Sequence, residues 1–151
     1  MREFPVYEHL GTEFEHLVIK DFEYWRLYLH PRQYPYIGRC YAASLREDAK
    51  SVVDMNSAER DELFEVILPA WGRAIEKLFR HDSRNADIAC FANDWKHLHW
   101  HFIPRFTDVV SYGGYKFRDP NIGANYSPYP KKKLPHKLMT QLVEDMRDAI
   151  K

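Results

Sequence analysis

Six residues constrain this chain more than any others: His97-Leu98-His99-Trp100-His101-Phe102, where three imidazoles alternate with three large apolar side chains. A period of two keeps each set on its own face, whereas a helix would mix them around its axis. Residues 97–104 are therefore expected to form a strand. His97, His99 and His101 would make one row, with neighbouring Cα atoms in it roughly 6.5 Å apart. Leu98, Trp100 and Phe102 would point the other way, into a core.

The flanking sequence supplies the rest of a sheet and its cover. Residues 24–30 and 39–45 read as strands on either side of a turn through Pro31, Pro35 and Gly38, and a weaker strand lies near 17–20. Residues 57–79 carry Leu63, Val66, Ile67, Ala70, Ala74, Ile75 and Leu78 at helical spacing. Asn56 or Ser57 can cap this helix, with Glu59 and Asp61 near its positive end. Pro69 falls inside the pattern and is expected to kink or break it. Residues 81–85 read as a loop, and 86–93 as a further short strand. Residues 106–130 hold Gly113, Gly114, Pro120, Gly123, Pro128 and Pro130 and read as irregular. Residues 134–150 read as a closing helix. The order β-β-β-α-β-β-α implies an α+β fold: a mainly antiparallel sheet of about five strands, with helices on one face. No repeat or linker divides the chain, so residues 1–151 are expected to form one domain.

Composition narrows the partners. Twenty-two basic and 22 acidic side chains cancel, so bulk charge gives no reason to expect nucleic acid or an anionic membrane. An anionic ligand would have to be held by a few aimed groups. No apolar run approaches the length needed to cross a bilayer. Cys40 and Cys90 are too few for a disulfide scaffold, which suits a reducing, cytoplasmic location.

A row of imidazoles is a poor choice for a merely structural role, because each ring needs a solvent or hydrogen-bond partner. Two chemistries suit it. Histidines two apart on a strand can share a metal ion, given a third ligand. Alternatively, the row offers a nucleophile, a proton donor and hydrogen bonds to a phosphate.

Residues 97–103 follow the pattern His-φ-His-φ-His-φ-φ, with φ apolar, and in this the chain resembles the histidine-triad (HIT) superfamily. The segment from Pro35 through Gly38 and Arg39 to Arg46 is similar to the family's glycine turn and following strand. Val53 to Glu59 is similar to its entry into the long helix, and Ile103-Pro104-Arg105 to the end of its triad strand. Residues 20–106 fit overall, leaving 107–151 as a loop plus a C-terminal helix. The resemblance implies a nucleotide phosphohydrolase or phosphoramidase. It would cleave dinucleoside polyphosphates or nucleoside phosphoramidates through a nucleotidyl-histidine, with no cofactor and no metal. It implies His99 as nucleophile, His101 as the group serving phosphate and leaving group, and His97 as the buried residue orienting the row. A homodimer with joined sheets is also implied. Many members place a Ser or Thr just before the triad. Here Asn93 could offer an amide and Lys96 a charge in its stead. His30 stands where the family usually carries an Asp or Asn for the ribose. A metal-dependent hydrolase using the same histidines, and a nucleotide-binding module without turnover, are the alternative readings.

Overall fold

The computed structural model describes residues 4–151. Five strands form one antiparallel sheet: β1 (Val18–Asp21), β2 (Trp25–Leu29), β3 (Cys40–Ser44), β4 (Ala86–Ala89) and β5 (His99–Pro104), in the order β1-β2-β3-β5-β4. The α+β expectation holds. Leu27, Leu29, Cys40, Ala42 and Phe102 alternate onto one face and join the main core beneath the helices. Tyr28, Tyr41 and Ala43 take the opposite face with Val18. The strand of β5 starts two residues later than expected and β4 ends four residues earlier.

The long helical stretch is continuous in three parts: α1 (Ser57–Glu62), a π-helical turn (Leu63–Ile67) and α2 (Leu68–Phe79). Asn56 caps it through a reciprocal box with Glu59, each side chain accepting the other's backbone N–H at 2.9 Å. Pro69 does not break the helix. The preceding turn widens, so that the Leu68 N–H reaches back to the Leu63 carbonyl. An in-helix proline clashes with the carbonyl four residues back, and a wider turn ahead of its ring relieves that clash. Beyond Phe79, Arg80 adopts a left-handed cap. α3 (His136–Ala149) packs beside α2 and buries Leu138, Leu142, Val143 and Met146.

Residues 106–130 are not wholly irregular. A hairpin of β6 (Val110–Tyr112) and β7 (Tyr115–Phe117) turns at Gly113 and Gly114, whose φ values are 58° and 83°. Two positive φ angles in succession are what a tight two-residue hairpin turn demands.

Two single 3₁₀ turns, Glu8–Leu10 and Glu15–Leu17, carry the N-terminal segment across the sheet face opposite the helices. Phe4, Leu10 and Phe14 cover Val18, Tyr28, Tyr41 and Ala43 there. Among the described residues, no helix is long and apolar enough to cross a membrane.

Candidate active site

The triad sits on the sheet face that the helices leave uncovered. Cross-strand pairing sets Ala43 opposite His99 and Tyr41 opposite His101. The Tyr41 ring abuts both His99 and His101 at 6.3 and 6.4 Å between centroids. His99 and His101 lie 4.9 Å apart, ring edge toward ring face. His97 precedes β5, yet its place is fixed by backbone bonds on either side of Leu98. The Ser44 N–H donates to the Leu98 carbonyl, and the Leu98 N–H to that of Ala49, both at 3.0 Å.

A chain of hydrogen bonds runs from the helix cap into the row. Buried Glu59 accepts from the Ser44 hydroxyl and from Arg46, both at 2.8 Å. This holds the end of β3, where the Ser44 carbonyl meets Nε2 of His97 at 2.7 Å. The His97 carbonyl in turn meets Nδ1 of His99 at 2.6 Å. A carbonyl can only accept, so each of these ring nitrogens carries its proton. The neutral His99 ring is then bare at Nε2, and a bare nitrogen is the one able to attack an electrophile.

Burial keeps these rings neutral. His97 and His99 are both 7% exposed, and desolvation lowers the pKa of each against the hydrogen bonds that favour their charged forms. His101 is half-buried and pushed down to about 3, first by desolvation and then by His99 and the Arg39 guanidinium. Among the described residues, Nδ1 of His101 is buried without a hydrogen-bond partner.

His30 joins this constellation, its ring 6.1 Å from that of His101. Its Nδ1 accepts the Arg32 N–H at 3.0 Å, which leaves the proton on Nε2. Desolvation, then Arg39, lowers its pKa to about 2. Asn93 and Lys96 are placed differently. β4 ends at Ala89, so Asn93 lies in an exposed bend, where its amide oxygen accepts the next N–H, that of Asp94, at 2.9 Å. Lys96 closes the same loop through the Ala92 carbonyl at 2.7 Å.

The sequence reading missed three neighbours. Trp95 packs on His97 and His99 at 5.2 and 4.8 Å. Its signal was present, since Trp95 continues the alternation of 97, 99 and 101 by one step. His9 is half-buried with its ring 5.2 Å from that of His97. Nothing local in the sequence announces that contact. Arg39 is 4% exposed beside His30, whose N–H donates to the Arg39 carbonyl at 2.9 Å. Among the described residues, no cluster of three or more His, Cys, Asp or Glu is arranged to hold a metal ion.

The sheet order, the long helix and the row of imidazoles together define a histidine-triad fold, and comparison with solved structures bears this out. A histidine-triad protein of Bradyrhizobium japonicum superposes with a TM-score of 0.67 at 17% identity, over 89% of this chain and 90% of that one. A HIT protein of Sinorhizobium meliloti gives 0.66 at 16% identity, over 87% of each chain. A zinc-bound histidine-triad family protein of Mycobacterium smegmatis gives 0.57 at 17% identity, over 89% of this chain and 83% of that one. No protein-family model and no curated protein sequence matches the chain.

Proposed function

We propose that the protein is a histidine-triad nucleotide phosphohydrolase or phosphoramidase acting through a nucleotidyl-histidine. The observation that carries this reading is the hydrogen bond from Nδ1 of His99 to the His97 carbonyl, which exposes an unprotonated Nε2 on a ring kept neutral by burial. In this reading Nε2 of His99 attacks the α-phosphorus. A P–N bond forms as the bond to the leaving oxygen or nitrogen breaks. His101 supplies the proton that the leaving group needs. The arriving phosphate anion offsets the desolvation that otherwise keeps His101 neutral. Water then attacks the adduct and returns a proton to His101, releasing the nucleoside monophosphate and restoring His99. His97 and Trp95 hold the His99 ring, and Nε2–H of His30 is a donor toward the substrate. Positioned donors stabilise the charge on the phosphoryl oxygens. The homodimer belongs to the same reading, with a second copy pairing along the β4 edge.

Hydrolysis of diadenosine polyphosphate and of adenosine 5′-phosphoramidate by purified protein tests this reading. Activity that survives a metal chelator and disappears in His99→Ala is expected. Chelator-sensitive activity would favour the metal reading. Tight nucleotide binding without turnover would leave a binding module.

A further inference from the structure

Among the described residues, two arginines are almost wholly buried, Arg26 and Arg39, and they differ in one respect. Arg26 is held by Asp21, with Nε–Oδ1 at 2.6 Å. Among the described residues, no carboxylate lies within ion-pair distance of Arg39, and its buried Nε has no hydrogen-bond partner. Its side chain donates from Nη1 to the Tyr129 hydroxyl at 3.1 Å. The rings of Tyr126 and Tyr129 flank the guanidinium at 5.2 and 6.0 Å. A buried cation without a counter-charge is costly unless an anion completes it.

The surroundings say where that anion would sit. Arg39 lies two residues before Tyr41, which pairs with His101, so alternation carries it onto the triad face. Its other neighbour on that face is His30. The tyrosines are held in place independently of the triad. Arg105 donates to Asp119 and to the Asn121 carbonyl, and Asn121 donates to the carbonyls of Tyr126 and Pro128. Tyr36 also donates to the Tyr126 carbonyl, at 2.6 Å. Residues 119–129 thus form a strap that fixes two aromatic rings against one unneutralised guanidinium.

We infer that Arg39 is a specificity-determining residue, whose guanidinium receives an anionic, phosphate-bearing leaving group beside His101. This rests on the hydrolase reading and sharpens it. Of the two leaving groups left open, a polyphosphate chain brings negative charge to Arg39, whereas the amine of a phosphoramidate does not. Charge-assisted bonds from a planar guanidinium to phosphate are among the stronger polar contacts.

The test compares wild type, Arg39→Met and Tyr129→Phe on diadenosine tetraphosphate and adenosine 5′-phosphoramidate, with inorganic tripolyphosphate binding measured by calorimetry on the same samples. In Arg39→Met the ratio of kcat/KM values shifts toward the phosphoramidate by about 10- to 100-fold, and tripolyphosphate binding weakens by a similar factor. Tyr129→Phe keeps the charge but loses the hydroxyl that orients it, so both readouts move the same way by a smaller factor. That second variant decides the matter should Arg39→Met fail to fold. An unchanged ratio, or tripolyphosphate binding that is absent in wild type or indifferent to both substitutions, overturns the inference. If no substrate turns over yet tripolyphosphate binding still depends on Arg39, the hydrolase reading fails and the anion site stands.

Discussion

The neutral, buried imidazoles make stability depend on pH between 7 and 5. His30 and His101 have folded pKa values near 2 and 3, against an ordinary 6.5. A chain that unfolds in this range binds protons that the folded chain refuses. Stability therefore rises with pH, and it falls as pH drops below the unfolded value. Going from pH 7 to pH 5, a ring that stays neutral when folded loses about 2 kcal/mol of stability. Two such rings give about 4 kcal/mol, and partial exposure of both brings the expectation to about 2–4 kcal/mol. His97 and His99 shift in the same direction and add to the loss. Carboxylates do not confuse the window. Asp54, Glu59 and Asp82 have lowered folded values, so what they contribute is complete above the ordinary carboxylate range and is lost only at lower pH. Urea unfolding at pH 7 and pH 5 measures the difference, expected as a midpoint lower by about 1–2 M at pH 5. The variant His30→Asn/His101→Asn should lose most of this dependence. Equal midpoints at the two pH values in the wild type, or an undiminished shift in the variant, would refute the argument that these rings are held neutral.

Other consequences follow from the same contacts. Glu59→Ala removes half of the helix-capping box, takes from Arg46 one of its two carboxylate partners and leaves the buried Ser44 hydroxyl without its acceptor, so urea unfolding should show a loss of about 2–3 kcal/mol. Gly38→Ala should lose about 2–3 kcal/mol in the same assay. Gly38 has φ of 92°, and a Cβ there would lie 2.4 Å from Ile75 Cδ1 and 2.8 Å from Phe79 Cε2. Trp95→Ala uncovers His97 and His99, so the His99 pKa, followed by NMR titration, should move back up toward the ordinary histidine value. An unchanged titration would mean that Trp95 does not shield the ring.

The parts legible in the sequence are those written in local period. Alternation from His97 to Phe102 and the helical spacing from Leu63 to Leu78 gave the triad strand and the helix that backs it. The Asn56–Glu59 cap was also visible, because both halves lie within one helical turn. The π turn was not, since it is a compromise between Pro69 and a buried stripe that demands helix on both sides. The β6–β7 hairpin was readable in principle: Gly113 and Gly114 sit between short Tyr- and Val-bearing runs, but the surrounding glycines and prolines masked the alternation. At the site, Trp95 shares the parity of the triad. Arg39 shares the parity of Tyr41, which pairs with His101, but its lack of a counter-charge shows only in the folded chain. His9 reaches the site only through the path of the N-terminal segment, and a tertiary contact of that kind leaves no periodic trace.

Trapping the reaction intermediate is the most direct test of the chemistry. Rapid acid-free quenching after mixing with a labelled dinucleoside polyphosphate, followed by peptide mapping, should find the nucleotidyl group on Nε2 of His99 and on no other imidazole. A label on His97 or His101, or steady turnover with no protein-bound label at any time, would contradict the account.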